Sequence, residues 1–317
     1  MYNYEKYTAV KAEIENRRIR AEAEADRRAD EVRMRSPEIA EIDAELSGTG
    51  MKLFKAALAG EDLTPLRDRN QALIAKKKEI IKSLGYPEDY TEVRYTCEKC
   101  SDTGYVGGTK VCSCLKEALV KAAIVSSGIG SLIDKQSFEN FELGVYRKSE
   151  QHYNLMKFNL EATKAFAENF KEKRGNMLLI GKTGTGKTHL STAIAREVIK
   201  QGFDVIYDST QNIMSDFETD RFKNGYSQAE PKADKYLECD LLIMDDLGTE
   251  FVTPFTVSCL YNLINTRQNR GLSTIVSTNL SNAELQKKYE DRIYSRIMGS
   301  GFKILYFEGF DYRIDGK

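Results

Sequence analysis

The chain contains Met177-Leu178-Leu179-Ile180-Gly181-Lys182-Thr183-Gly184-Thr185-Gly186-Lys187-Thr188, followed by a helix-patterned segment from Leu190 to Val198. The four apolar residues predict a buried strand, and the glycines predict a loop between that strand and the helix. Such a loop presents several backbone N–H groups to a dense anion such as a triphosphate. Side chains at Gly181, Gly184 and Gly186 would obstruct that approach. A glycine-rich surface loop that matches by chance is the alternative.

The G-x-x-x-x-G-K-T spacing gives the last two loop residues distinct roles. Lys187 is expected to reach the β- and γ-phosphates, and the hydroxyl of Thr188 is expected to ligate Mg²⁺. We therefore predict a phosphate site formed by the loop residues Gly181, Lys182, Thr183, Gly184, Thr185, Gly186, Lys187 and Thr188.

Acidic and amide side chains follow two later predicted strands. Leu241 to Met244 is apolar throughout, as a strand buried on both faces requires, and Asp245 and Asp246 come next. Asn279 follows the strand predicted at residues 273–278, and ligands of open α/β sheets gather at such carboxyl ends. We expect Asp245 to hold Mg²⁺, Asp246 to orient the attacking water and Asn279 to bridge that water and the γ-phosphate. A turn-forming role is the alternative for Asn279.

Two arginines lie further on, in Asp291-Arg292-Ile293-Tyr294-Ser295-Arg296-Ile297. A guanidinium can neutralise the charge that develops on a transferred phosphoryl group, and its planar fork suits this task better than a lysine. A salt bridge on a helix surface is the alternative for either arginine.

Four of the six cysteines form a cluster that predicts a zinc site. A hairpin turning at Gly107-Gly108 would bring the second pair back to the first, so that four thiolates surround Zn²⁺ tetrahedrally. The ligands are expected to be Cys97, Cys100, Cys112 and Cys114. Because all four positions would be filled by protein, the metal would be structural. Reduced free cysteines or a redox pair are the alternatives.

Apolar residues recur at helical spacing from Tyr4 to Leu84, with a break at Ser36-Pro37 and a second candidate break at Gly48-Thr49-Gly50. Two or three long helices that fold back on one another would bury these narrow stripes. The charged faces are most simply solvated surface. The functional alternative is a docking arm that offers one face to a partner protein.

Bulk composition limits the remaining function classes. A chain of 317 residues is long enough for about two domains. A net charge of −1 excludes a grossly basic protein, so any contact with nucleic acid requires a local patch. No apolar run approaches the length of a membrane span, so we expect no membrane partner and a cytoplasmic location.

Four motifs, in this order, resemble the AAA+ ATPases of the bacterial replicative-helicase loader group (DnaC/DnaI type), which are relatives of the initiator DnaA and of IstB-like transposition ATPases. They are Gly181 to Leu190, Leu242 to Gly248, Ser277 to Leu280, and Arg292 to Arg296. The resemblance implies an α/β fold, namely an AAA+ P-loop NTPase with a central parallel sheet. An α-helical arm and a small four-cysteine zinc module would precede it.

The expected organisation has four parts. They are a helical N-terminal arm for partner docking at residues 1–90, a four-cysteine zinc module at 91–116, a linker at 117–137, and an AAA+ domain at 138–317 without a C-terminal lid.

The resemblance also assigns individual roles. Asn279 would be sensor 1, Arg296 the arginine finger that acts on the ATP of a neighbouring copy, and Arg292 its companion. His189 matches the family's Gly-Lys-Thr-His-Leu and is expected to pack beside the nucleotide. The segment from residue 209 to 235 occupies the place of the clade's helical insertion. Its basic residues would contact single-stranded DNA, with scattered surface charge as the alternative: Arg221, Lys223, Lys232 and Lys235.

Asp246 stands where AAA+ proteins commonly have glutamate, so slow or partner-dependent hydrolysis is expected. The resemblance implies a homo-oligomeric loader of the replicative hexameric DNA helicase onto single-stranded DNA. It would bind ATP, Mg²⁺ and Zn²⁺ and use ATP as a switch. One alternative is an IstB-like or phage ATPase that assists transposition or a phage helicase. Another is a zinc-bearing adaptor that binds nucleotide without hydrolysing it.

Overall fold

The structure, a computed structural model, describes residues 4–59, 62–222, 231–309 and 311–312. The described chain divides into two compact units, of which one is Ala9–Lys116. The other is formed by the described residues from Glu117 onward and by the first turn of the N-terminal helix. None of the helices in these ranges is both long and apolar enough to cross a membrane.

Long helices make up most of the unit Ala9–Lys116. Within the described ranges they are α1 (Tyr4–Arg35), α2 (Pro37–Ala59) and α3 (Thr64–Ser83). The break predicted at Ser36-Pro37 is present, because proline lacks an N–H and suits the first position of a new helix. The second candidate break was wrong, since α2 continues through Gly48-Thr49-Gly50. Thr49 is buried there, and its hydroxyl donates to the Leu46 carbonyl at 2.7 Å.

Apolar side chains of all three helices pack together in the described part of this unit. One cluster consists of Val32, Ile39 and Ile81, one from each helix, and further buried side chains such as Ile42 and Leu73 lie along the same helices. At its edge the rings of Tyr86 and Tyr90 stack 4.2 Å apart, and both hydroxyls donate to the Glu31 carboxylate. Polar and aromatic contacts therefore join α1 to the segment that follows α3 at the edge of this cluster.

Five parallel strands form the central sheet of the second unit in the part of the chain described. Their order is β4-β5-β6-β3-β7, where β3 is Asn176–Gly181, β4 Val205–Ser209, β5 Leu241–Leu247, β6 Ser273–Thr278 and β7 Phe302–Phe307. Alternate residues of β3 face opposite sides, with Leu179 in one apolar cluster and Leu178 in the other. Both faces are therefore covered, as the apolar runs in the sequence indicate.

Helices cover both faces of this sheet. They are α4 (Ser113–Ser126), α5 (Leu132–Lys135), α6 (Glu150–Glu168), α7 (Lys187–Lys200), α8 (Thr210–Phe222), α9 (Asp234–Glu238), α10 (Pro254–Asn269) and α11 (Asn282–Met298), with a 3₁₀ turn at Leu143–Lys148. The predicted α/β architecture with a central parallel sheet is confirmed.

The segment predicted as a linker, residues 117–137, is largely packed. Ile129 and Ile133 are buried in the core of the second unit. The Ser127 carbonyl accepts the N–H of Tyr207 at 2.6 Å, so the segment covers part of the outer edge of β4. Gly128 has φ +80°, and a Cβ there would collide with the Tyr207 carbonyl oxygen, so only glycine fits this approach.

A buried arginine fixes the segment that leads from α9 into the sheet. Arg267 of α10 is fully buried and donates to the carbonyls of Tyr236 and Cys239 at 2.7 and 3.0 Å. It also donates to the Ser273 carbonyl at 2.6 Å and to the Thr274 hydroxyl at 3.0 Å. One side chain thus joins α9, β6 and the segment entering β5.

Candidate nucleotide site and four-cysteine cluster

A bulge at the end of β5 places two consecutive acids on the carboxyl edge of the sheet. The pairing with β6 moves from Met244–Val276 to Leu247–Thr278, so Asp245 and Asp246 together face only one residue of β6. In a regular strand, neighbouring side chains would point to opposite faces. Asp246 has φ +54°, and its N–H donates to the Ser277 hydroxyl at 3.0 Å. The bulge therefore lets both carboxylates serve one site.

Both oxygens of the Asp245 carboxylate are held by neighbours. Tyr207 donates its hydroxyl to Oδ2 at 2.5 Å, and Ser277 donates its hydroxyl to Oδ1. Burial, together with the Asp245 carboxylate, raises the pKa of Tyr207, so this phenol remains a donor at ordinary pH. Thr188 Oγ1 lies 3.4 Å from the same Oδ2. The predicted Mg²⁺ ligands Thr188 and Asp245 thus lie side by side.

Asn279 links the loop lysine to the second acid. Its Oδ1 accepts from Lys187 Nζ at 2.7 Å, and its Nδ2 donates to Asp246 Oδ1 at 3.1 Å. The strand order explains this position, because β6 lies between β5, which carries the acids, and β3, which precedes the loop. Lys187 Nζ also donates to the carbonyls of Gly181 and Lys182 at 2.6 and 2.8 Å.

The loop glycines are required by protein packing as well as by the phosphate approach predicted from sequence. A Cβ at Gly181 would collide with the Phe307 carbonyl oxygen of β7. Gly184 has φ +76°, and a Cβ there would collide with the Asp311 carboxylate. The Tyr312 N–H donates to the Gly184 carbonyl at 3.2 Å. Residues 311–312 therefore lie directly against the loop.

A cavity of about 430 Å³ opens beside the loop. One wall carries predicted site residues, including Thr183, Lys187, Asp246 and Asn279, and the other is formed by residues 136–146 and Tyr312. Tyr146 is buried and donates its hydroxyl to the Thr185 carbonyl at 3.1 Å, so this side chain holds the loop in place. The Phe141 ring stacks on Tyr146 with centroids 5.8 Å apart. This arrangement gives a polar phosphate wall opposite an aromatic wall suited to a flat base.

His189 connects the two walls. Its ring meets Phe141 edge to face at 5.1 Å, and Nε2 lies 2.8 Å from the Ser137 carbonyl and 3.1 Å from Asn140 Oδ1. The side chain thus packs and hydrogen-bonds to the segment that forms the aromatic wall.

The two predicted arginines of α11 are not brought to this cavity within one chain. Arg296 donates to the Tyr261 hydroxyl at 2.9 Å, and its guanidinium lies 4.8 Å from that ring's centroid. Arg292 is exposed and lines a separate cavity of about 440 Å³ with Lys288 and Tyr261.

The basic residues predicted to contact DNA have varied surroundings. Arg221 is exposed and lies 4.6 Å from the Phe255 ring centroid. Lys235 pairs with Asp216 at 3.1 Å, and Lys232 is exposed. Lys223 lies outside the described residues.

Comparison with known proteins settles the family. The family of IstB-like ATP binding proteins matches residues 137–298, which is more than half of the chain and includes the loop, both acids, Asn279 and both arginines. This chain belongs to the IstB-like ATP binding proteins. The resemblance to AAA+ proteins of the DnaC and IstB group is confirmed.

The alignments of this IstB-like protein with two curated relatives cover most of each relative's length. The replicative helicase loader DnaC of Escherichia coli (strain K12) is 26% identical over 193 residues, which is 60% of this chain and 75% of DnaC. The phage-like element PBSX protein XkdC of Bacillus subtilis (strain 168) is 27% identical over 236 residues, or 69% of this chain and 81% of XkdC. A crystal structure of the DnaC helicase loader aligns with a TM-score of 0.44 and 21% identity, covering 50% of this chain and 100% of that one.

Several residues that shape this IstB-like site were not predicted from sequence. Tyr207 and Ser277 occupy ordinary strand positions, so only the strand order reveals that they hold Asp245. Phe141 and Tyr146 lie before β3, in a segment that contains several aromatic residues and none of the four motifs.

The four-cysteine cluster lies outside the region matched by the IstB-like family. The sulfur atoms of Cys97, Cys100, Cys112 and Cys114 all lie within 4.8 Å of one another. Sγ–Sγ distances of 3.8 Å for Cys97–Cys112 and 3.5 Å for Cys100–Cys114 match thiolates about 2.3 Å from a central Zn²⁺. The hairpin of β1 (Tyr105–Val106) and β2 (Lys110–Val111) turns at Gly107-Gly108 as predicted.

A buried carboxylate organises this cluster from within the same unit. Asp102 is fully buried, and its oxygens accept the N–H groups of Thr96 and Cys97 at 2.8 and 3.0 Å. Arg17 of α1 pairs with Asp102 at 2.6 Å, so the cysteine hairpin is joined to the first helix. Burial opposes the thiolate of Cys100, but the Gly104 N–H and the neighbouring thiols lower the pKa of Cys100 to about 7. Burial instead raises the pKa values of Cys97 and Cys114, so Cys100 is the thiol that loses its proton more readily than these two.

Proposed function

We propose that this chain is an ATPase that loads a replicative hexameric DNA helicase onto single-stranded DNA and uses ATP as a switch. The observation that carries the proposal is the 26% identity with the helicase loader DnaC over 60% of the chain. The region that matches the IstB-like family, residues 137–298, contains the Lys187–Asn279–Asp246 chain of hydrogen bonds, which is suited to sensing a terminal phosphate.

ATP would occupy the cavity beside the loop. Gly181, Lys182, Thr183, Gly184, Thr185 and Gly186 would present backbone N–H groups to the phosphates, and the ammonium of Lys187 would neutralise part of their charge. The aromatic wall with Phe141 and Tyr146 would receive the base, and His189 would hold that wall in place.

Thr188 and Asp245 would hold Mg²⁺, since a hydroxyl and a carboxylate oxygen 3.4 Å apart are ligands that this ion prefers. The ion supplies neutralisation of phosphate charge. Asp246 would orient the attacking water, and Asn279 would report whether a γ-phosphate is present. Because aspartate is one methylene shorter than glutamate, we expect slow hydrolysis that DNA or the partner stimulates.

Arg296 would complete the site of a neighbouring copy, with Arg292 as its companion. Support comes from their position on α11, outside the cavity of their own chain. A homo-oligomer assembled through the ATP sites would therefore be the hydrolytic form.

The remaining parts would serve the partners. Residues 1–90 would dock the helicase, and Zn²⁺ bound by Cys97, Cys100, Cys112 and Cys114 would stabilise residues 91–116. Residues 117–137 would connect these parts to an ATPase domain at 138–317. Arg221, Lys223, Lys232 and Lys235 would supply phosphate contacts to single-stranded DNA.

The test measures loading directly. The intact chain is mixed with the replicative helicase of the same organism and circular single-stranded DNA, and helicase retained on the DNA is quantified with and without ATP. We expect ATP-dependent retention that is abolished by Lys187→Ala and unchanged by Lys287→Ala, which alters an exposed lysine of α11. Thermal melting of both variants verifies folding. Failure of the unaltered chain to bind or retain the helicase would contradict the proposal.

A second candidate is an ATPase that serves a phage or a mobile element. The similarity to XkdC covers 69% of the chain, a larger share than the similarity to DnaC covers. Repeating the assay with a phage-type helicase or a transposase separates the candidates, since only the cognate partner should be retained in an ATP-dependent manner.

A further inference from the structure

A buried glutamate lies just beyond the two acids of β5. Glu250 is 5% exposed, and its Oε2 accepts the N–H of Gly248 at 2.9 Å. Its Oε1 accepts the hydroxyl of Tyr289, a residue of α11 that is 1% exposed. A buried carboxylate with such specific partners is costly to misplace, because its oxygens have no water to replace a lost donor.

A second contact joins the same two elements. Lys288 of α11 donates its ammonium to the Gly248 carbonyl, so both backbone polar groups of Gly248 are engaged, one by Glu250 and one by α11. Burial and the adjacent Glu250 carboxylate raise the pKa of Tyr289, so its hydroxyl stays protonated and continues to donate.

This turn begins at the acid assigned to the attacking water. The Asp246 carbonyl accepts the N–H and the hydroxyl of Thr249 at 3.2 and 2.9 Å. Asp246 has φ +54° and Gly248 has φ +113°, so both lie in the left-handed region. A Cβ at Gly248 would come within 2.7 Å of Leu280, the residue after Asn279. The turn therefore has little freedom to shift independently of Asp246 and Asn279.

Helix α11, which contacts the turn through Lys288 and Tyr289, also carries the two arginines. Arg292 lies four residues beyond Lys288 and Arg296 eight residues beyond it, within the continuous helix α11. Residues spaced by four lie on one face of a helix, so a displacement at Lys288 and Tyr289 moves Arg292 and Arg296 with it.

We propose that Glu250 is a positioning residue that couples Asp246 in one nucleotide site to the arginine-bearing helix that serves the next copy's site. The inference rests on the proposed function, in which Arg296 acts on a neighbouring ATP. Glu250 does not line the nucleotide cavity, and both of its oxygens are already hydrogen-bonded. It therefore does not replace the glutamate whose position Asp246 occupies.

The experiment separates the two ends of this connection by mixing two full-length variants. Copies with Arg296→Ala keep their own nucleotide loop but lack the finger, and copies with Lys187→Ala keep the finger but lack the loop lysine. Turnover in the mixture then comes from the loop of the first and the finger of the second. ATP hydrolysis is measured with single-stranded DNA and the helicase present.

Glu250→Gln is then added to the Lys187→Ala copy only. If Glu250 merely stabilised the turn from Asp246 to Thr249 in its own copy, adding Glu250→Gln would not change the rate of ATP hydrolysis in the mixture. The reason is that the nucleotide site of that copy is already inactive. We expect instead about a tenfold loss of turnover in the mixture, as mispositioning of the finger requires. Tyr289→Phe, a milder change at the other end of the contact, should give a smaller loss in the same direction. Lys287→Ala in the same copy is the matched control and should leave turnover unchanged.

The outcomes distinguish the coupling role of Glu250 from the proposed function on which it rests. If the two parent variants never recover activity on mixing, Arg296 does not act between copies, so that part of the proposed function and the coupling role both fail. If they recover and Glu250→Gln in the finger-donating copy has no effect, the coupling role is overturned while the proposed function stands. Melting temperatures and co-sedimentation of each variant confirm that folding and assembly are retained, so a loss of turnover reports position.

Discussion

Tyr207 and Ser277 show how single side chains prepare the nucleotide site. Each donates a hydroxyl to a different oxygen of the Asp245 carboxylate, which fixes the plane of that carboxylate. Neighbours that orient a metal ligand commonly affect metal affinity almost as strongly as the ligand itself. Tyr207 belongs to none of the four motifs, and Ser277 begins one of them, but its contact with Asp245 could not be predicted because a tyrosine or serine in a strand has many ordinary uses.

Tyr207→Phe tests this orientation. Loss of the 2.5 Å hydrogen bond leaves one Asp245 oxygen without its phenol donor, so we expect about a tenfold higher Mg²⁺ concentration for half-maximal ATP turnover. The measurement is a Mg²⁺ titration of hydrolysis at saturating ATP. Tyr294→Phe, on α11 and outside the cavity lining, is the matched control. An unchanged Mg²⁺ dependence in Tyr207→Phe would show that the hydroxyl does not orient the acid.

At the scale of elements, helix α10 anchors α9 and the segment that enters β5 through Arg267. Burial lowers the pKa of this guanidinium, while its hydrogen bonds to carbonyls of three neighbouring segments hold it in place. These carbonyls belong to buried residues, so water cannot replace the arginine as a lost donor.

Arg267→Met is expected to lower the free energy of unfolding by about 3 kcal/mol, because it leaves buried carbonyls of Tyr236, Cys239 and Ser273 without this donor. Arg270→Ala, an exposed arginine of the same segment with one contact to the Leu237 carbonyl at 3.3 Å, should cost less than about 0.5 kcal/mol. Chemical denaturation of both variants measures the difference. Equal effects would refute the anchoring role.

The sequence predicted elements better than it predicted their contacts. The loop, its strand and the strands before Asp246 and Asn279 follow from local patterns, since apolar runs and glycine spacing are local properties. The bulge at Asp245 and Asp246 could not be predicted, because it depends on pairing with a strand 30 residues away. The continuity of α2 through Gly48 and Gly50 was also missed, since surrounding helix formers outweighed a cost of about 1 kcal/mol for each glycine.

At the scale of the whole molecule, the four-cysteine cluster and the candidate nucleotide site fall in different compact units. The four cysteines belong to Ala9–Lys116, and the residues that line the nucleotide cavity belong to the other unit. The sequence predicted both clusters from spacing alone, yet it gave no sign of Asp102, which connects the cysteine hairpin to α1.

Removing the metal should therefore affect one unit selectively. We expect one Zn²⁺ for each intact chain, and its chelation should lower helicity and stability while the dissociation constant for ATP changes by less than about twofold. Metal analysis, circular dichroism and nucleotide titration measure these quantities. Cys112→Ser should lose the metal and Cys259→Ser should retain it, since Cys259 lies outside the cluster. Full metal content in Cys112→Ser would contradict the assignment.

The contact between Ser127 and the outer strand β4 has a practical consequence for shortened versions of the chain. Unpaired strand edges are templates for association with other chains, and β4 is the last strand on its side of the described sheet. A version that begins after residue 130 would uncover part of that edge, so aggregation of such a fragment would reflect the lost cover and would say nothing about ATP.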